Sequence, residues 1–575
     1  MRIFLKRITY KALVAALITV CVFGQLMTPV SAVAYEPPYQ TLKIGLYYGT
    51  TALPSANLQN VDGYGSGFEF GYFDANRNFV PINADTSENR ITMLMDRNMT
   101  WYTGDGTSAG EYREGTNGSV VVGCFHIQLN TGYDSFAEAK SEAGKYKNAF
   151  VRYQSGKFLT LIGQYTSRDD ANKAIESMDL KAASVNAGTS NTITVSKTGT
   201  DTILFEFDMG QTPLGVMPKP RNNVRPETWF KGFRYTGGFQ YARLEGMYIT
   251  VVNMVAIEEY IKGILPNEMG ASWPLEALKA QACCARSYAL STLNRHSANG
   301  FDLCVTEHCQ VYRGRNSTNE RTDQAVDETA GEFITYEGSL CQTFYASSNG
   351  GASEDVENVW NDPEPYLRGV VDPYEADIAP SISNYKWTIR YTQSQITQRL
   401  RERGYNCSTI VSVVISKYTS TGNVLSIRMT DSQGKKWEFS KRSELITALG
   451  VPTQRFSIGD AGSESGSIYV NDPAQKISPN SGYYAVDASG KSVEINEDNM
   501  KAITASGDVI TVESEKNSNT TASETGMENG VFTITGTGRG HLVGMSQWGA
   551  YSMALYHDKT YIDIIKFYFT GVDVG

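Results

Sequence analysis

The stretch Ile264-Leu265-Pro266-Asn267-Glu268-Met269-Gly270-Ala271-Ser272-Trp273-Pro274-Leu275-Glu276-Ala277-Leu278 decides how this 575-residue chain is read. It sets one acidic side chain between two predicted helices. Upstream, Met254 to Lys262 reads as a helix with Ile257 and Ile261 on one side, ended by Gly263. Downstream, Ser272 and Pro274 mark a new helix start. That helix runs to about Leu293 and buries Leu275, Leu278, Ala282, Ala285 and Ala289. Beside Ile264, Leu265, Met269 and Trp273, the Glu268 carboxyl loses hydration, so its pKa is expected to rise. A carboxyl that keeps its proton near neutrality suits general-acid attack on a glycosidic oxygen. A capping or salt-bridged glutamate at a helix start gives the same local sequence.

Working outward, the pattern predicts an α+β chain. Residues 41–117 carry short strands and turns, beginning with Leu42-Lys43-Ile44-Gly45-Leu46-Tyr47-Tyr48. Residues 118–196 read as a separate unit with an internal repeat. A strand at Val120–Phe125 is followed by a helix over Ser135–Tyr146. Phe158–Tyr165 repeats the strand, and Ser167 caps a second helix through Met178. The order is β-α-β-β-α-β; an unrelated α+β insert would share it. Residues 197–458 hold the densest motifs, including an α+β segment over 396–458. Residues 459–530 are Ser-, Asn- and Gly-rich, an insertion or mobile region with strand-like runs such as Tyr483–Val486. Structure is expected to resume over 531–575, with a helix near Ile562–Tyr568.

The first 34 residues read as an export signal. Arg2, Lys6, Arg7 and Lys11 precede an apolar stretch, Ala12 to Phe23, and Ala32-Val33-Ala34 offers a cleavage site. The stretch is short for a membrane span. A secreted, cell-wall location is expected, membrane-anchored if the signal is retained. The formal net charge is −10, and loss of the four basic residues would take it to −14. That argues against nucleic acid as a partner.

Seven cysteines remain besides Cys21: Cys124, Cys283, Cys284, Cys304, Cys309, Cys341 and Cys407. An odd, scattered set is no disulfide framework. Cys283 and Cys284 fall mid-helix and read as core. Cys304, His308 and Cys309 lie within six residues, and their donor types suit zinc. Two buried cysteines and a surface histidine would give the same spacing.

The run from Ile264 to Ala289 resembles the family of stage II sporulation protein D and the amidase enhancer LytB. Three later segments agree in order: Cys309-Gln310-Val311-Tyr312-Arg313-Gly314, Tyr345-Ala346-Ser347-Ser348-Asn349-Gly350-Gly351, and Gly540-His541 through Ser546-Gln547-Trp548-Gly549-Ala550. The resemblance implies a discontinuous SpoIID-type catalytic domain. Residues 118–196, through Ile162-Gly163-Gln164-Tyr165, resemble the SPOR domain, which implies binding to peptidoglycan. By this resemblance Glu268 is the acid/base of a lytic transglycosylase that cuts peptidoglycan glycan strands to anhydro-muramic ends. The family's enhancer branch implies instead a non-catalytic glycan binder that stimulates an amidase partner. Relatives with Cys and His-Cys ligands in this region imply a zinc cofactor on Cys304, His308 and Cys309.

Arg286, Gln310, Tyr312, Ser347, Ser348, Asn349, His541, Ser546 and Gln547 are the candidate substrate-binding residues. Their motifs put hydroxyls, amides and flexible glycines together, as sugar hydroxyls require. Plain turns would also explain the segments at Ser347 and His541. The family pattern has an aromatic before Gly-His and a glycine after it; Arg539 and Leu542 stand there instead. Glu354 is the nearest motif-linked second carboxylate, and it also reads as a surface residue.

Overall fold

A strand buried on both faces, Ile249–Ala256, carries the chain to the candidate site. It lies in a seven-stranded sheet whose order is Leu303–Cys304, Thr41–Tyr47, Ile249–Ala256, Gly238–Arg243, Leu214–Pro220, Gly65–Phe73 and Phe79–Thr86. This computed structural model describes residues 35–103, 110–246, 248–360, 362–459 and 526–575, with six short strands between 468 and 511. The expected export signal lies outside the described residues. The fold is α+β, dominated by sheets.

The helix expected from Met254 begins at Ile257, because Met254 and Val255 pair with Lys43 and Leu42 in the sheet. The β-branched run Ile249-Thr250-Val251-Val252 favours that outcome. The helix then continues through Gly263 to Glu268, with Pro266 in its last turn. Gly263 ends nothing. A Cβ there would lie 2.5 Å from the Tyr312 ring, so the glycine serves close packing.

The next helix, Leu275–Ser291, is buried almost all round from Ala277 to Leu290. Ala and Cys side chains let the helices Ile257–Glu268, Gln547–Tyr556 and Tyr561–Tyr568 pack closely on it. A helix apolar on every side belongs at the centre of a core, which explains why a single buried stripe understated it.

A ten-stranded sheet contains the stretch expected as a separate unit. Phe125–Tyr133, the helix Phe136–Ala143, Ala149–Gln154, Lys157–Tyr165, the helix Arg168–Ser177 and Ala183–Asn186 follow in β-α-β-β-α-β order. Ser135 and Ser167 cap the two helices. Across the sheet the strands run fourth, first, third, second. The first strand starts at Phe125 rather than ending there; Val121–Val122 pairs with Met99–Tyr102 instead.

The unit does not stand apart. Ala149–Gln154 pairs in parallel with Ile203–Asp208, and Ile193–Lys197 pairs with Arg90–Met95. Phe136, Phe150 and Phe158 share one core with Phe205 and with the sheet and helices around Glu268. A buried polar seam closes this junction. Glu206 receives Arg152 at 2.6 Å, His126 at 3.1 Å and the Thr194 hydroxyl at 2.9 Å.

A second hydrophobic core forms around Ile410, Val413, Ile427, Leu445 and Ile534. Its strands come from both sides of the Ser-rich region: Lys386–Thr392 and Phe456–Ile458 flank Val531–Thr537. Within that region Tyr483–Val486 pairs with Ser492–Ile495.

Candidate active site

A cleft of about 1330 Å³ runs past Glu268, His308, Gln310, Tyr345, His541 and Gln547. Glu268 is the last residue of its helix, half-buried on the cleft wall. Loss of hydration raises its pKa; hydrogen bonds from Gln547 and Tyr345 act against the shift, and the Glu307 charge adds to it. Gln547 Nε2 points at Glu268 Oε2 from 3.4 Å and at Gln281 Oε1 from the same distance. Gln547 opens its helix, and the Ser546 hydroxyl caps that helix by accepting from Gly549 N–H.

Behind Glu268 lies a polar chain. Gln310 Nε2 donates to the Tyr345 hydroxyl at 3.1 Å and to Ala285 O at 3.2 Å, while Gln310 Oε1 accepts from the Tyr260 hydroxyl. Gln310 borders the cleft with its amide already engaged, so it orients Tyr345 rather than a sugar. Tyr345, which the sequence did not single out, is the group that meets Glu268.

His541 also faces the cleft, but both ring nitrogens are engaged. Nε2–H donates to Tyr345 O at 2.9 Å and Nδ1 accepts from Val543 N–H at 3.1 Å. A carbonyl can only accept and an N–H can only donate, which fixes the tautomer. Burial, then the Arg442 charge, push its pKa down to about 4. Its imidazole is therefore neutral and supports the wall as an aromatic surface. Next to it Leu542 adopts φ 67° with its side chain buried. That left-handed backbone costs a non-glycine residue roughly 1–2 kcal/mol, a cost that the glycine expected here from the resemblance would avoid.

Five other candidates lie away from the cleft. Arg286 is buried against Glu258, 2.7 Å away, and donates to Glu332 O. Tyr312 is in the core, its hydroxyl donating to Asn253 Oδ1 at 3.0 Å. Ser348, Asn349 and Ser546 turn inward onto two buried acids. Glu375 accepts from the Ser348 and Ser546 hydroxyls and from the N–H groups of Asn349 and Gly350; Asp372 accepts from Asn349 Nδ2. Ser347 does line the cleft. Glu354 is fully buried, neither a surface residue nor part of the cleft. Asn358, Thr419 and Asn423 donate to its carboxylate.

Cys304, His308 and Cys309 converge, and His296 joins them. Cys304 Sγ lies 3.8 Å from His308 Nδ1; Cys309 Sγ lies 3.6 Å from His308 Nδ1 and 3.4 Å from His296 Nε2. The edge of a tetrahedral zinc shell between sulfur and nitrogen is about 3.5 Å, from bond lengths of ≈ 2.3 and ≈ 2.0–2.1 Å. The four donors fit such a shell. The hydrogen bond between the two thiols lowers the Cys304 pKa and raises that of Cys309, so without a metal the pair favours a single shared thiolate. Cys283 and Cys284 are buried in the core, as expected.

These observations define an α+β protein with a desolvated carboxyl beside a cleft of mixed polar and apolar lining and a Cys₂His₂ cluster on the cleft's rim. Residues 245–336 match the family described as stage II sporulation protein. An uncharacterized protein of Brachyspira hyodysenteriae is 31% identical over 345 residues, 60% of this chain and 73% of that protein. Stage II sporulation protein D of Bacillus subtilis is 24% identical over 339 residues, 56% of this chain and 76% of its own length. The amidase enhancer of the same organism is 30% identical over 315 residues, 54% of this chain but only 39% of the enhancer. The chain belongs to the stage II sporulation protein D family.

Proposed function

We propose that this protein is an exported lytic transglycosylase that cuts peptidoglycan glycan strands freed of their stem peptides. The observation that carries the reading is the desolvated Glu268 carboxyl on the cleft wall, its proton favoured by burial. The protonated carboxyl gives its proton to the oxygen linking muramic C1 to N-acetylglucosamine, and that C–O bond breaks. The resulting carboxylate takes the proton from the muramic 6-hydroxyl as its oxygen closes on C1. One carboxyl thus serves twice, and no water is consumed. Gln547 and Tyr345 steady the ionised form between the two transfers.

His296, Cys304, His308 and Cys309 would hold zinc. Four protein ligands leave no open position, which is the structural arrangement. The metal would fix the loop that carries Glu307 and Gln310 into the cleft. The β-α-β-β-α-β unit is proposed to hold glycan, with the half-buried Gln164 on its strand as one contact.

Purified protein incubated with denuded glycan should release anhydro-muramic fragments detectable by mass spectrometry. Glu268→Gln should lose them while still sedimenting with glycan. The relative named an amidase enhancer favours a second reading, a glycan binder that stimulates an amidase. No fragments from wild type, with retained sedimentation and faster amidase turnover, would select it.

A further inference from the structure

Trp360 is 40% exposed and lines the cleft that Glu268 borders. Its ring is braced from behind. Phe344 lies 4.6 Å away between centroids and His541 lies 5.1 Å away. With both its nitrogens engaged, His541 contributes its ring and no hydrogen bond to a ligand. An indole held this firmly and left open to the cleft suits the apolar face of a pyranose ring.

Arg539 lies two residues from His541 on the same wall and is exposed. Its backbone is fixed by paired hydrogen bonds with Ser348, 2.9 and 3.2 Å long. Among the described residues its guanidinium shows no ion pair, although Asp362 and Glu364 line the same cleft. The other arginine on the cleft, Arg295, already donates to the Tyr288 hydroxyl at 3.0 Å. Arg539 is thus a cation on a fixed backbone, available to an anionic ligand. A guanidinium grips a carboxylate through two parallel N–H···O bonds.

We propose that Trp360 and Arg539 form a subsite for N-acetylmuramic acid whose lactyl carboxylate is free. The muramic ring stacks on Trp360, and the lactyl carboxylate pairs with Arg539. This rests on peptidoglycan being the substrate and adds how the cleft selects it. In peptide-bearing glycan the lactyl group is an amide without charge. Removal of the peptide exposes the carboxylate, so Arg539 reads whether a strand has been stripped. N-acetylglucosamine has no lactyl group and would gain only the stacking.

The test uses the full chain carrying Glu268→Gln, so that binding is measured without cleavage. Calorimetry compares denuded glycan with the same glycan whose lactyl carboxyls are capped as methylamides. The free acid should bind about tenfold tighter or more. Arg539→Gln should abolish that difference and leave affinity for the capped glycan unchanged. Trp360→Ala should weaken binding to both glycans by a similar factor. Equal binding of the two glycans, or a preference that survives Arg539→Gln, overturns the carboxylate contact. Unchanged binding in Trp360→Ala overturns the stacking, and no binding to either glycan overturns both. Anhydro-product formation by the Glu268 protein is scored separately. A protein that prefers the free acid but never cleaves keeps this subsite and loses the proposed activity. One that cleaves without the preference does the reverse.

Discussion

Gln547 Nε2 reaches Glu268 Oε2 across 279 residues of sequence, 3.4 Å away in space. The donor favours the ionised carboxyl, against the stronger desolvation that raises the pKa. Removing it leaves the carboxyl more reluctant to ionise. In Gln547→Ala the protonated acid should therefore persist to higher pH. The alkaline limb of the pH–kcat/KM profile should move upward, and activity at the optimum should fall about 3–10-fold for the lost bond. A limb that stays or moves down would remove Gln547 from the control of Glu268.

The cluster at His296, Cys304, His308 and Cys309 should carry about one zinc per chain. His296→Ala should lose it as surely as Cys304→Ser with Cys309→Ser, and chelation should lower Tm in wild type. Elemental analysis and thermal melts check this. A native protein that melts identically with and without chelator, and holds no metal, would end the idea.

Local signals in the sequence located Glu268 and three of the four clustered donors proposed to hold zinc. Glu268 stood out because its apolar neighbours are adjacent in the chain, so desolvation could be read directly. Cys304, His308 and Cys309 lie in one loop. His296 is thirteen residues before Cys309 and comes back only through the turn to Phe301. The clue was its rarity, as one of five histidines. Ser348, Asn349 and Ser546 looked like sugar ligands because they are polar and sit beside glycines. Their true partners, Glu375 and Asp372, lie 23 to 171 residues away, and a motif cannot show that. Arg286 misled in the same way, since Glu258 neutralises it from 28 residues upstream. The unit at 118–196 showed its element order but not its seam. Parallel pairing of Val151 with Phe205 leaves no mark on local periodicity.

Glu375 gives the fold a pH dependence. Burial first, and the Asp372 charge second, push its pKa up to about 7. The native state then holds this proton more tightly than the unfolded chain, whose carboxyl titrates near 4.5. The stabilisation is complete below about pH 4.5 and is lost as pH rises through about 7. Tm should fall between pH 5 and pH 8, and Glu375→Gln should flatten that slope. The amide would also face donors from Ser348, Gly350 and Ser546, so stability should drop by about 1–3 kcal/mol. A slope identical to wild type would assign the dependence to other groups.

The seam at Arg152 and Glu206 decides whether residues 118–196 can be removed. Both side chains are fully buried, and the guanidinium binds Glu206 Oε2 through Nε at 2.7 Å and Nη2 at 2.6 Å. Glu206 sits on Ile203–Asp208, outside the unit, while Arg152 and His126 sit inside it. Desolvation alone would raise the Glu206 pKa, yet the Arg152 charge and the contacts from Arg152 and His126 hold it down to about 2. Deleting the unit strips Arg152 and the His126 ring from a carboxylate that stays in the core. It also uncovers Phe205, which packs on Phe136 with ring centroids 6.0 Å apart. Arg152→Met should cost about 3–5 kcal/mol, the usual loss when one partner of a buried pair is removed. Arg152→Met with Glu206→Met should recover part of it, because no buried charge is then left alone. Deletion of residues 118–196 should lower the yield of folded protein rather than simply weaken glycan retention. Urea unfolding of the two variants and circular dichroism of the deletion protein provide the check. A deletion protein that keeps the wild-type melting temperature would show that the seam joins two bodies able to fold apart.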